Sequence, residues 1–261
     1  MKKTTILLLI VLGIANLFAQ SEKLQAMEQE LVFFHNTAKQ LWLYQYKNYG
    51  YEESFLHYQK MQELAYEQFD GMLNMMLVED RDMTYPFTEL KNSGIHGVDI
   101  IWSSDSLLRV FSWMLPGGTQ HIYGNAIQYK NTKSIACSFP FDIDYESFDN
   151  INGGYQYYTV YTLEDHNKTI YILFGRTNFS TRIVGYQLLA FSIQDELVAE
   201  NIFEDENGNL TNEISISYEI GCNDINGEAF LRLTIDENKK ILNLLGTKDV
   251  NIQFFINILS K

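Results

Sequence analysis

Histidine and cysteine are the side chains best suited to hold a metal ion or attack a substrate, and this chain has few of them. Its 261 residues include five histidines and two cysteines. No two histidines stand at helical or hairpin spacing and no His-Glu-x-x-His run occurs, so a zincin-type zinc site is not indicated. Two distant cysteines cannot form a structural zinc site by themselves. We expect no metal site and no cofactor.

The motifs of nucleophilic catalysis and phosphate binding are also missing. There is no Gly-x-Ser-x-Gly elbow, no glycine-rich phosphate loop ending in Lys-Ser/Thr and no dinucleotide fingerprint. A Ser/His/Asp set could still assemble in space. A glycosidase needs two carboxyl groups at a set separation across a cleft, and among 33 acidic residues two neighbours are expected by chance. No catalytic motif is found, and the sequence favours a non-catalytic protein.

One acidic run has alternating side chains that could present oxygen ligands to calcium. It spans residues 142–149, and its acids are Asp142, Asp144, Glu146 and Asp149. The EF-hand pattern fails there, because Ser147 occupies the glycine position and Gly153 the position of the bidentate glutamate. Residues 205–209 fail similarly, with Leu210 at the glycine position. We interpret both runs as solvated acidic turns.

The most distinctive stretch runs from Asp105 to residue 130, and it contains an arginine, a tryptophan, a histidine and a tyrosine that could line a concave site. The candidate ligand-binding residues are Arg109, Trp113, His121 and Tyr123. Their aromatic rings could stack on a sugar or another flat ligand. The alternative is a hairpin whose tryptophan and tyrosine are core residues and whose Gly117-Gly118 pair makes the turn.

This stretch is similar to a group of uncharacterised exported proteins of Bacteroidetes-type bacteria. The similarity is carried by Asp-x-x-Leu-Arg-Val-x-Ser-Trp at 105–113, the Gly-Gly turn at 117–118 and Gln-Tyr-Lys at 128–130. The runs 157–161 and 171–175 are similar too, as is the Phe-Ala-Gln sequence at 18–20. The resemblance covers about residues 95–245. It implies a secreted β-rich module and supplies no activity or catalytic residues.

The first twenty residues have the layout of a secretory signal peptide. Lys2 and Lys3 precede an apolar segment at 6–12, and cleavage is expected after Ala19. The alternative, an uncleaved anchor, is disfavoured because its apolar stretch is shorter than the ~20 residues that span a bilayer. Cleavage leaves 17 basic and 33 acidic residues and no membrane-spanning run. We expect a periplasmic or secreted protein that does not bind nucleic acid.

Export would also place both cysteines in an oxidising compartment. Cys137 and Cys222 could then form a disulfide. The alternative is two buried free thiols. Spacing alone does not decide between them, because a disulfide requires the two side chains to lie within reach.

Helical periodicity organises the chain from Ser21 to about Met76. One apolar stripe contains Leu24, Met27, Leu31, Phe34, Ala38 and Leu41, and a second contains Tyr58, Met61, Ala65, Phe69, Met72 and Met76. Turn chemistry at 48–51 separates them. We predict an antiparallel helical hairpin that packs on the rest of the chain, with oligomerisation through the hairpin as the alternative.

After Pro86 the pattern changes to short segments rich in β-branched and aromatic residues, separated by turn signals. We predict strands at these segments, among them residues 168–176 and 196–203. Parallel pairing would need helical crossovers, and none occur. We therefore predict an antiparallel β-meander that forms a barrel, a sandwich or a curved sheet. The predicted class is α+β, with a signal peptide at 1–19, the helical hairpin at 20–90 and the β domain at 91–261.

These observations favour an exported, non-catalytic module that binds a ligand or an envelope protein through its β domain. The alternative is a hydrolase acting on envelope polymers or glycans. A third possibility is an assembly protein that associates through its helical hairpin.

Overall fold

In the computed structural model, the chain is an α+β protein with N-terminal helices followed by antiparallel strands, as predicted. The structure describes residues 2–47, 52–93, 97–115, 122–131, 133, 135–138, 154–165, 168–181, 183–204, 208–219, 232–236, 241–245 and 251–255. The chain divides into two compact parts, which we call the helical unit (residues 1–98) and the β unit (residues 99–261).

The helical unit contains α1 (Lys2–Lys47), α2 (Glu52–Glu79) and the short α3 (Thr88–Lys91). The first two helices run antiparallel. Tyr44, near the end of α1, stacks on Tyr58 of α2, and at the opposite end of the pair Gln20 Nε2 donates a 3.2 Å hydrogen bond to the Glu79 carbonyl. Among the helices of the described part of the chain, none combines the length and apolar character of a membrane crossing.

The hairpin buries one face of each helix against the other. On α1 the fully buried residues include Leu31 and Ala38, and on α2 they include Phe69 and Leu73. These positions come from the apolar periodicity in the sequence. The second apolar line predicted from the sequence, from Tyr58 to Met76, is wrong at Met61, which is 43% exposed. The buried face of α2 is instead rotated towards residues 66, 73 and 77.

A buried carboxylate fixes the segment that follows α2. Glu28 lies on α1 with 3% of its surface exposed, where its Oε2 accepts a 2.7 Å hydrogen bond from Tyr85 Oη and its Oε1 accepts one of 3.0 Å from the Leu90 backbone N–H. Asp80 in turn accepts hydrogen bonds from the backbone N–H groups of Thr84 and Tyr85. These bonds attach the connector and α3 to α1.

The β unit contains fourteen described strands, and every described pairing between them is antiparallel. One four-stranded sheet consists of β1 (Asp99–Trp102), β2 (Leu108–Leu115), β3 (Ile122–Lys130) and β4 (Ile135–Ser138). A five-stranded sheet consists of β5 (Gln156–Asp165), β6 (Lys168–Asn178), β7 (Ile183–Ile193), β8 (Leu197–Ala199) and β11 (Glu213–Glu219).

The remaining strands form two small sheets. The first pairs β9 (Phe203–Glu204) with β10 (Leu210–Thr211), and the second contains β12 (Arg232–Asp236), β13 (Ile241–Leu245) and β14 (Asn251–Phe255). The described strands thus form four separate sheets rather than one closed barrel.

The five-stranded sheet is buried on both faces. One face packs against Leu108, Val110 and other residues of the four-stranded sheet, contributing Tyr171 and Leu173 to that core. The opposite face builds a second core that includes Phe203 of β9. Burial on both sides explains why β6 and β7 are almost continuously apolar rather than alternating.

Candidate functional site

Arg109, the charged residue of the predicted ligand-binding set, is fully buried on β2. Its Nε donates a 2.5 Å hydrogen bond to Gln128 Oε1 on the neighbouring strand. Its guanidinium carbon lies 4.9 Å from the ring centroid of Trp102 and 5.2 Å from that of Phe111. An amide oxygen and two aromatic rings therefore stabilise this cation inside the protein.

Trp113 shares a face of β2 with Arg109, because alternate strand residues point the same way. Only 2% of its surface is exposed. Its ring covers Gly124 on β3, its direct partner in the register. A Cβ atom at position 124 would lie 2.4 Å from Trp113 Cε2, so the ring packs against bare backbone.

Tyr123 belongs to the other face of the same sheet. It lies opposite Met114 in the register, one residue out of phase with Trp113. Burial raises the pKa of its phenol, with Arg176 acting to lower it and Asp99 to raise it. His121 lies outside the described residues. The structure thus places Arg109 and Trp113 on one face of β2 and Tyr123 on the opposite face of the sheet, and ligand binding by this set stays a prediction.

The remaining predicted sites lie largely beyond the described part of the chain. Cys137 is in β4, where it is the register partner of Gln128. Its side chain and Cys222 are not among the described groups, so the disulfide stays a prediction. The acidic run 142–149 is likewise outside them. Across the residues that are described, no cluster of three or more His, Cys, Asp or Glu side chains could hold a metal ion.

A hydrogen-bonded chain crosses the five-stranded sheet from its interior to its surface, and the sequence analysis missed it. The buried Tyr157 Oη donates a 2.5 Å hydrogen bond to Gln187 Oε1. Gln187 Nε2 donates one of 2.7 Å to Glu213 Oε1, which also accepts a 3.0 Å bond from Ser215 Oγ. The Tyr157 backbone N–H donates to Ser112 Oγ. A lone glutamine in the apolar run 183–193 was the available signal.

Electrostatics determine which group donates and which accepts along this chain of hydrogen bonds. Burial raises the pKa of Tyr157 well above the ordinary value, and the negative charge of Glu213 and the neighbouring Tyr155 raise it further. The phenol therefore stays neutral and donates, which orients the Gln187 amide towards the exposed carboxylate. The result is one positioned carboxylate on β11, whose described hydrogen-bond donors are Gln187 and Ser215.

Asp105 organises a second polar group, in the turn between β1 and β2. It accepts hydrogen bonds from Ser103 Oγ at 2.6 Å, the Leu107 N–H at 3.0 Å and Tyr171 Oη at 2.7 Å. Burial acts to raise the pKa of this carboxyl, but the hydrogen bonds from Ser103, Tyr171 and Leu107 lower it below the usual value. Asp105 thereby attaches the turn to β6.

Exposed apolar side chains are concentrated on the helical unit. Among the described residues, eleven large apolar side chains are exposed, and eight of them belong to α1 and α2. The β unit contributes only Trp102, Leu107 and Ile183. Scattered apolar residues on a surface are ordinary, but a contiguous patch indicates an interaction site.

The exposed residues of α2 include a regular line, which we call the α2 stripe. It consists of Met61, Leu64, Gln68, Gly71, Met75 and Val78, and all six are exposed. Their spacing of three and four residues repeats with the heptad period that places side chains along one helix face. At 1.5 Å per residue the stripe is ~26 Å long. It is distinct from the α2 face that packs on α1.

Comparisons with protein-family models, with curated proteins and with solved structures find no match.

Proposed function

We propose that this chain is an exported, non-catalytic module that works by binding another protein through the α2 stripe. The observation that carries the proposal is the exposure of large apolar side chains at four of the six positions of the stripe, with Leu64 50% and Met75 59% exposed. Leaving such surface in water is unfavourable, and covering it with a partner recovers that free energy. In the β unit, by contrast, Arg109 is buried and donates a hydrogen bond to Gln128, and Tyr157 is buried and donates one to Gln187.

Export is supported by the layout of residues 1–20, in which two lysines precede an apolar segment and a small residue at position 19. The proposal places the chain in the periplasm or outside the cell. The intact mass of the chain recovered from those compartments tests this directly. We expect it to lack residues 1–19, and a mass that includes them would contradict cleavage.

Photo-cross-linking in the cells that make the chain naturally tests the binding surface. A photoreactive phenylalanine analogue replaces Met75 in the stripe or, as a control, Leu56 on the same helix but outside the stripe. The two positions are matched, because their side chains are 59% and 58% exposed. We expect a discrete protein adduct from position 75 and none from position 56. No adduct at 75, or equal adducts at both positions, would contradict the proposal.

A hydrolase acting on envelope polymers or glycans is the competing function, and one observation favours it. Glu213 is a surface carboxylate held in place by a buried hydrogen-bond chain. Thermal unfolding against envelope glycans separates the two functions. A ligand at about 100 times its dissociation constant would raise the midpoint by roughly 5–11 °C for a chain of this size. We expect no such shift; a shift abolished by Glu213→Gln would replace our proposal.

A further inference from the structure

We infer that the partner bound by the α2 stripe is a second copy of this chain, with the two stripes packed antiparallel across a two-fold axis. The inference rests on the proposed function, because it names the occupant of the same surface. The order of residue sizes along the stripe and the open space beside Gly71 support it.

The stripe is complementary to itself when reversed. A two-fold interface requires that residue i meets residue j while j meets i. The midpoint of the stripe lies between residues 69 and 70, so an antiparallel copy brings Met61 to the partner's Val78 and Leu64 to the partner's Met75. Both layers then combine two apolar side chains. Each layer pairs one heptad position with the other, as antiparallel helix geometry requires.

The central layer distinguishes antiparallel from parallel pairing. Reversal places Gln68 beside the partner's Gly71, so a long side chain meets a residue without one. A Cβ atom built at Gly71 has no other atom within 4 Å, so the space beside this glycine is open. Parallel pairing would instead place glycine on glycine and amide on amide, which leaves a void next to two crowded polar groups.

The charge of the chain distinguishes a second copy from a basic partner by the salt dependence of binding. The six residues of the stripe carry no charge, while the chain as a whole carries a formal charge of −14. Beside the stripe, reversal places Glu67 next to the partner's Asn74 rather than next to a second carboxylate. Because the two chains repel at long range, added salt should strengthen their association by screening. Binding to a basic protein would respond to salt in the opposite sense.

The size of the contact sets the expected affinity. A helix about 10 Å wide in contact over ~26 Å buries on the order of 300 Å² per chain. The total of roughly 600 Å² is below the ~1,200 Å² at which stable protein interfaces begin. The dimer is therefore weak and reversible, and it forms at high local concentration.

Analytical ultracentrifugation of the exported chain over a wide concentration range tests the inference. We expect a monomer–dimer equilibrium that tightens with salt. Leu64→Glu should raise the dissociation constant of the dimer by about tenfold or more, because it places a charge in an apolar contact. Leu56→Glu, the same change at an equally exposed position outside the stripe, should leave the dissociation constant within about twofold. Circular dichroism checks that both variants fold.

A charge pair tests the register. The double variant Leu64→Glu with Met75→Lys should recover dimerisation, because antiparallel packing brings these two positions together in both halves of the dimer. Within one chain the positions are ~16 Å apart along the helix, so they cannot pair there. Parallel packing would place like charges together and give no recovery.

Failure of the inference and failure of the proposed function have different signatures. A chain that stays monomeric at every concentration, or that responds equally to Leu64→Glu and Leu56→Glu, overturns self-pairing. If cross-linking from position 75 then captures a different protein, the binding surface stands and only the identity of its partner is wrong. If position 75 captures nothing, both are wrong.

Discussion

At the scale of single residues, the β unit uses its buried polar side chains to hold its own sheets. The Tyr157 hydroxyl, which is fully buried, finds its acceptor in Gln187, and that amide finds its acceptor in Glu213. A buried polar group without a partner costs more than a hydrogen bond contributes, so each member of such a chain depends on the next.

Replacing Tyr157 with phenylalanine should therefore be costly even though it removes a single oxygen. The change leaves the buried Gln187 carbonyl oxygen without its donor, and we expect a loss of about 1–3 kcal/mol in the free energy of unfolding. Urea unfolding measures this. Tyr44→Phe is the control, because Tyr44 is 51% exposed and its hydroxyl deletion should change stability by less than about 0.5 kcal/mol. Equal effects at both positions would contradict a stabilising role for the buried hydrogen bond between Tyr157 and Gln187.

The sequence could identify Arg109 and Trp113 as unusual but could not locate them. Both stand in an apolar strand, and the same pattern suits a ligand-lining face or a core face. What decides is whether another layer covers that face, and a local pattern of one strand does not contain this information. The structure gives Arg109 no exposed surface and Trp113 2%. Tyr123 is separated from them by the register of β3 on β2, which pairs it with Met114, and a shift of one residue would reverse its face.

At the scale of elements, the strand bounds were predictable and the pairing of short strands was not. Residues 168–176 were predicted as a strand, and β6 is Lys168–Asn178. The predicted strand at 196–203 is instead two strands, because β8 pairs with β7 while β9 pairs with β10. Short segments take their partners from tertiary contacts, which local propensity does not encode.

Two glycines provide matched tests of how the elements pack. Gly124→Ala should be destabilised by about 1–3 kcal/mol, because the new methyl group would lie 2.4 Å from the buried ring of Trp113. Gly71→Ala, in contrast, should gain about 0.5–1 kcal/mol, because its surroundings are open and alanine favours the helix. Urea unfolding at low protein concentration measures both. A neutral result at position 124 would show that Trp113 moves aside easily.

At the scale of the whole molecule, periodicity predicted the order of helices and sheets but not which apolar face of α2 is covered. Met61 was assigned to the buried stripe, and the structure places it in the exposed one. Both faces of this helix carry apolar residues at three- and four-residue spacing, so the pattern indicates two candidate faces without ranking them. Only the packing of α1 separates the covered face from the free one.

Three tyrosines distributed over both units should make the whole protein sensitive to alkali. Burial is the largest cause that raises the pKa of Tyr85, Tyr157 and Tyr171, and nearby carboxylates raise all three further. Because tyrosines in the unfolded chain ionise near pH 10, the unfolded state releases protons first as the pH rises, and the free energy of unfolding must fall there. Below that pH all three phenols are neutral in both states, so their contribution to the free energy of unfolding is constant.

Urea unfolding between about pH 8 and 11 should show this decline in the free energy of unfolding. The double variant Tyr157→Phe with Tyr171→Phe should decline less steeply than the wild type. An unchanged slope in the double variant would mean that these phenols ionise without unfolding the β unit.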